Sequence, residues 1–126
     1  MDLDAQLLRA GDVDALPSKP PTARIAYGDD PLQFGDLRLP EGAGPFPVAI
    51  VIHGGCWVER YASLVNSTPL ADALRDAGVA TWNIEYRRTD SPGGGWPNTF
   101  LDVAEGAEHL RSLAARYPLD LSRVVT

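Results

Sequence analysis

An α/β fold with a mostly parallel sheet is what this sequence predicts, on three observations. Val48 to Ile52 (VAIVI) is a continuous apolar run rich in β-branched residues, the pattern of a strand covered on both faces. Val79 to Tyr86 (VATWNIEY) reads as a second strand. Segments of helical periodicity alternate with such runs, so from Val48 onward the order is βαβαβ.

Each element follows from local chemistry. Residues 1–22 form a peripheral segment: Ala5 to Ala10 allow a short helical turn, and LPSKPP (Leu16 to Pro21) is an extended linker. The domain then runs over residues 23–126. Arg24 to Tyr27 and Phe34 to Leu39 are two short strands around the turn signal Gly28-Asp-Asp-Pro31, which favours an antiparallel pair. Thr68-Pro69 reads as a helix start, and Leu70, Ala73, Leu74 and Ala77 lie on one helical face before the stop at Gly78. A second helix is expected from about Thr99 to Arg116, with Thr99 and Asp102 at capping-box spacing. Its apolar stripe is Phe100, Val103, Ala104, Ala107, Leu110, Leu113 and Ala114, and Pro118 ends it. Arg123 to Thr126 has the look of a strand just beginning.

Composition narrows the class. With 126 residues, 44% hydrophobic and 22% charged, the chain is one globular domain at most. A net charge of -6 gives no electrostatic case for nucleic acid or an anionic membrane. Lys19 is the only lysine, and the arginines are scattered. Cys56 is the only cysteine, so no internal disulfide is possible. The acidic start MDLDAQLLRAGDVD is not a secretory signal, and no apolar run reaches membrane-spanning length. A cytoplasmic location is the expectation.

Chemistry concentrates in HGGCW, His53 to Trp57, directly after the most apolar strand. In open α/β sheets ligands bind in the crevice at the carboxyl ends of the strands. Glycines there let the backbone turn sharply and present N–H groups, and adjacent N–H groups aimed at one point stabilise an oxyanion. HGGCW resembles the HGGG-type loop of α/β-hydrolases, with Cys56 in place of the third glycine. IEYRR (Ile84 to Arg88), WPNTFLDVAEGAEHL (Trp96 to Leu110) and YPLDLSRVVT (Tyr117 to Thr126) extend that resemblance to the esterase, lipase and formamidase branch of the fold, including kynurenine formamidase-like and dienelactone hydrolase-like enzymes.

The resemblance implies the amino-terminal portion of an α/β-hydrolase sheet. It implies an oxyanion hole at Gly54, Gly55 and Cys56, with His53 shaping the loop. The nucleophile elbow G-x-S-x-G does not occur in the chain, and in this fold the order is Ser, then Asp or Glu, then His. All three catalytic residues are therefore expected beyond Thr126. The expected function is hydrolysis of a small-molecule carboxylic ester or related acyl substrate, with no cofactor. The competing readings are a truncated fragment or scaffold piece without activity, and a small-molecule binding module. Self-association, or a complementary carboxy-terminal piece, is expected to cover the unfinished sheet.

Other residues carry plainer readings. His53 precedes any nucleophile, which argues against a catalytic base. His109 reads as a solvated residue, and Cys56 as a small residue packed in the loop. Gly93-Gly-Gly95 lacks the Lys-Ser/Thr of a phosphate loop and reads as a flexible loop over the site. Trp57 and Trp96 flank the crevice as pocket walls or as ordinary packing. Asp72 and Asp76 read as solvated helix residues, Arg87 and Asp102 as a structural brace. No cluster has metal-ligand spacing.

Overall fold

The computed structural model describes residues 7–126. Among the described residues, five strands make one sheet: β1 (Ala23–Ala26), β2 (Phe34–Arg38), β3 (Phe46–Ile52), β4 (Ala80–Ile84) and β5 (Leu119–Val125). Their spatial order is β1-β2-β4-β3-β5. β1 and β2 form the expected antiparallel pair, and β2 continues antiparallel to β4. β3 runs parallel to both β4 and β5. The helices are α1 (Ala10–Asp14), α2 (Leu64–Asp76), α3 (Asn98–Glu108) and α4 (Leu110–Ala114).

β4 is buried along its whole length, its polar residues Thr81 and Asn83 included. Trp82 fills the centre of the core beside Leu37, Val48 and Leu113, and its indole N–H donates to Gly106 O at 2.8 Å, which satisfies the one polar atom of a buried ring. β3 is less completely covered than its sequence predicts: Val48, Ala49 and Val51 are buried, while Ile50 is half-buried and Ile52 exposed. β5 is longer than expected. It begins at Leu119, and its outer edge pairs with no strand among the described residues.

Several local expectations are corrected. The amino-terminal helix occupies Ala10–Asp14; of the expected turn, residues 5 and 6 lie outside the described residues and residues 7–9 are not helical. α2 starts five residues ahead of Pro69, capped by Ser63, whose hydroxyl accepts from Val65 N (3.3 Å) while Asn66 Oδ1 accepts from Ser63 N (3.0 Å). Pro69 lies inside the helix, where it withholds a hydrogen bond from Val65 O at an exposed position.

The inward face of α2 is Leu64, Ala71 and Asp72, while Leu70, Ala73 and Ala77 are exposed. Asp72 is buried because it is paired. Its carboxylate accepts from Arg38 Nε at 2.9 Å and from the backbone N–H of Lys19, which ties the linker to the domain. Asp76 is solvated as expected. Gly78 ends α2 as expected, at φ 93°.

The second helical segment breaks at His109 into α3 and α4. Thr99 and Asp102 form no capping box. Thr99 donates its hydroxyl to Arg87 O (2.7 Å), and Asp102 accepts two bonds from the Arg87 guanidinium at 2.8 Å each. The brace read from the sequence is therefore present, and it turns α3 so that Thr99, Asp102 and Gly106 face inward. Phe100 and Ala104 are left exposed, while Leu110 and Leu113 of α4 join the core. His109 is half-buried, its ring 6.2 Å from that of Trp82, and not a freely solvated side chain.

Candidate active-site crevice

β3 delivers His53 to the carboxyl end of the sheet, and the chain then turns away through Gly54 to Trp57. Gly55 has φ 116°, and the next two residues, Cys56 and Trp57, also lie in the left-handed region at φ 54° and 56°. Two consecutive non-glycine residues there are uncommon, and such strain persists only where the surroundings over-determine it. A Cβ on Gly55 would stand 2.6 Å from the Ala62 Cβ, so only glycine fits against the segment entering α2. Trp57 O accepts from Thr89 N and from the Thr89 hydroxyl, both at 2.8 Å, which fixes the far end of the turn.

Among the described residues, the backbone N–H groups of Gly54, Gly55, Cys56 and Trp57 donate to no acceptor. Gly54, Cys56 and Trp57 line a hollow of about 470 Å³ together with Ile52, His53, Tyr86, Phe100 and Val103. Its wall is largely apolar, and the unpaired backbone donors of Gly54, Cys56 and Trp57 belong to residues on one side of it. Trp57 and Phe100 have ring centroids 6.2 Å apart, and Trp96 meets Phe100 edge-on at 5.4 Å. Trp57 thus lines the hollow, while Trp96 is 83% exposed at its rim.

His53 is buried and both of its ring nitrogens are occupied. Nε2 lies 2.6 Å from Glu85 Oε1, and Nδ1 lies 2.8 Å from Gly54 O. The Tyr86 ring stacks on it at 4.5 Å, and the Tyr86 hydroxyl donates to His53 O at 2.6 Å. Burial alone would raise the Glu85 carboxyl. The His53 hydrogen bond and the Leu64 N–H outweigh it and hold Glu85 below the usual carboxylate range. Leu64 opens α2, so the carboxylate also sits at the positive end of a helix. Arg88 Nη1 donates to Glu85 Oε1 (2.7 Å) and to Ala62 O (3.0 Å).

The Gly93–Gly95 turn is not a free flap. A Cβ on Gly94 would lie 1.9 Å from Arg88 O, so the turn is packed directly on the Arg88 backbone. None of the serines near the crevice is presented as a nucleophile. Ser63 caps α2, Ser67 donates to Leu64 O (2.9 Å), and Ser91 donates to Glu59 (3.0 Å). Cys56 is exposed in the loop, not packed within it. Among the described residues no group of three His, Cys, Asp or Glu is placed to hold a metal ion. Likewise among them, no helix is long and apolar enough to cross a membrane.

Glu85 and Arg88 are the residues that sequence reasoning underrated. Charged side chains at the end of a fully buried strand were the available signal, since burial there requires a partner.

A mixed sheet with helices on its faces, opening at the carboxyl end of β3 onto a glycine loop, defines an esterase-type α/β-hydrolase fold. The family described as BD-FAE matches residues 36–126, and the chain belongs to that family. Among solved structures, a bacterial heroin esterase is 26% identical with a TM-score of 0.71, the match covering 91% of this chain and 37% of that one. A truncated form of a carbohydrate esterase from gut microbiota is 26% identical with a TM-score of 0.69, covering 84% of this chain and 40% of the other. An inhibited esterase B from Lactobacillus rhamnosis shares the fold at 22% identity and a TM-score of 0.72, over 91% of this chain and 38% of that one. No curated protein matches the sequence.

Proposed function

We propose that this chain is the oxyanion-loop portion of an ester hydrolase that works through a serine nucleophile. The observation that carries the reading is the run of unpartnered N–H groups from Gly54 to Trp57, of which Gly54, Cys56 and Trp57 line an apolar hollow. Membership of a family whose solved structural relatives include esterases supports it.

In this reading the serine, its histidine base and the orienting carboxylate come from sequence following Thr126. The serine attacks the ester carbonyl, and the oxygen that becomes negative is received by the N–H groups of Gly55 and Cys56, beside Gly54. Preformed donors of this kind stabilise charge that develops only in the transition state, which is why they raise kcat. Trp57 contributes to the wall that receives a small-molecule acyl group, with Trp96 at its rim. No cofactor is required for this chemistry, and neither nucleic acid nor membrane takes part in it.

A chromogenic ester of a short acid tests the proposal in the complete protein. Gly55→Pro removes one N–H and cannot adopt φ 116°, so it should abolish turnover. Cys56→Gly keeps the backbone donor and should retain most of kcat. Loss of one oxyanion donor typically costs about 2.7–4 kcal/mol in the transition state. Full turnover by Gly55→Pro, or a folded but dead Cys56→Gly enzyme, would overturn the assignment.

A further inference from the structure

We infer that His53 is held doubly protonated against Glu85, and that Glu85, braced by Arg88, is a positioning residue that sets the orientation of the Gly54–Cys56 donors. The inference rests on the oxyanion reading of that loop and adds what holds it in place.

The proton inventory is the first argument. Gly54 O faces Nδ1 at 2.8 Å and can only accept, so Nδ1 carries a hydrogen. Glu85 Oε1 faces Nε2 at 2.6 Å, and an ionised carboxylate likewise only accepts, so Nε2 carries one too. Arg88 Nη1 stands 3.4 Å from Nε2, with its own hydrogens directed to Glu85 Oε1 and Ala62 O. A ring with two donors and two acceptors is an imidazolium.

Anchoring is the second. Arg88 bonds Glu85 at 2.7 Å and reaches the half-exposed Glu59 at 3.9 Å, which fixes the carboxylate that faces Nε2.

Mechanical linkage is the third. His53 Nδ1 bonds the carbonyl of Gly54, and that carbonyl belongs to the same peptide unit as the Gly55 N–H. Fixing the ring therefore fixes the direction of that N–H. Glu85 and Arg88 hold the two sides of the loop together: Glu85 takes His53 from β3 and Leu64 from α2, and Arg88 takes Ala62, against which Gly55 is packed. Both nitrogens of His53 being used, it is not available as a general base. Its work is on the loop, and Glu85 acts through it.

The test is a proton–nitrogen correlation spectrum of the histidine rings in the complete protein, with His53 assigned through its contacts to the stacked Tyr86 ring. At neutral pH both His53 nitrogens should appear protonated, with slowly exchanging N–H signals. A single unprotonated His53 nitrogen overturns the inference without reference to activity. In Glu85→Gln the second ring proton should be lost, and kcat should fall by about tenfold or more with little change in KM, the mark of donors misaligned only toward the transition state. Unchanged kcat in an otherwise active Glu85→Gln enzyme overturns the positioning role. Absence of esterase turnover in the unaltered protein would instead refute the hydrolase reading, and the ring spectrum would still judge the His53–Glu85 pair.

Discussion

His53 Nε2 and Glu85 Oε1 lie 2.6 Å apart, joining the residue after β3 to the residue after β4 beneath the glycine loop. The contact places a buried hydrogen-bonded pair where the sheet, α2 and the loop meet. A buried pair of this kind contributes little net stability when intact but is costly to break from one side, by about 3–5 kcal/mol.

Strain in the loop makes the first prediction. Cys56 sits at φ 54°, a conformation that costs an L-residue about 1–2 kcal/mol and glycine almost nothing. Cys56→Gly should leave thermal stability equal or higher, despite the greater freedom of glycine in the unfolded chain. Gly55→Ala should destabilise by about 1–3 kcal/mol, because its Cβ would meet Ala62 at 2.6 Å. Thermal melts of the two variants, read side by side, check this.

The second concerns the Arg87–Asp102 brace. Asp102 is fully buried, and the guanidinium holds it through two bonds of 2.8 Å. Asp102→Ala leaves Arg87 without its partner and should cost about 3–5 kcal/mol in a denaturant titration. A loss below about 1 kcal/mol would mean that the brace is not what orients α3.

Acid is the third. Burial would raise the Asp102 carboxyl, but the Arg87 side chain and backbone N–H and the Gln33 amide outweigh it and hold it below its ordinary value. Glu85 is depressed in the same sense. For a carboxylate with a lowered folded pKa, stability is fully present above the unfolded value and is lost as pH falls through the folded one. The contribution of these two carboxylates should therefore be complete above about pH 5 and decline progressively below about pH 4. Asp102→Asn should be less stable at neutral pH and should show a shallower acid slope. Denaturation midpoints across that range measure it, and an unchanged slope would contradict the assignment.

The outer edge of β5 gives the fourth. Leu121, Val124 and Val125 are exposed along an edge that pairs with no strand among the described residues. Such an edge is a template for association. The 126-residue chain expressed alone should self-associate in a concentration-dependent way, and Val125→Lys should reduce this. Light scattering after size exclusion reads both, and a monomer at all concentrations would show that the edge is inert.

The legible parts of the fold were those where apolar sequence meets apolar surroundings. β3 was readable as a continuous hydrophobic run, Val79 to Tyr86 as a strand containing β4, and Gly78 as the stop of α2. The illegible parts were those where polar residues are buried by pairing. Asp72 looked like a surface residue until Arg38 neutralised it, and it rotated the inward face of α2 away from Leu70 and Ala73. Asp102 and Thr99 did the same for α3, leaving Phe100 exposed beside the crevice. At the site, HGGCW announced a loop of backbone donors, because glycine after a buried strand has few other uses. Glu85 and Arg88 did not announce themselves, since nothing local says that a Glu at the end of β4 will meet a His at the end of β3. That meeting is set by the parallel register, which pairs Ile52 with Ile84.

The most direct test removes a single backbone donor at a constant side chain, weakening besides it only Gly55 O as the acceptor of Val58 N. In a Cys56→Ala background of the complete protein, residue 56 is replaced by its α-hydroxy analogue, so that one N–H becomes an ester oxygen and the side chain is unchanged. If Cys56 N–H receives the oxyanion, kcat on a chromogenic ester falls by about 10²–10³ with KM nearly constant. If kcat stays within a factor of about two, the loop is not the oxyanion hole, and the central claim is wrong.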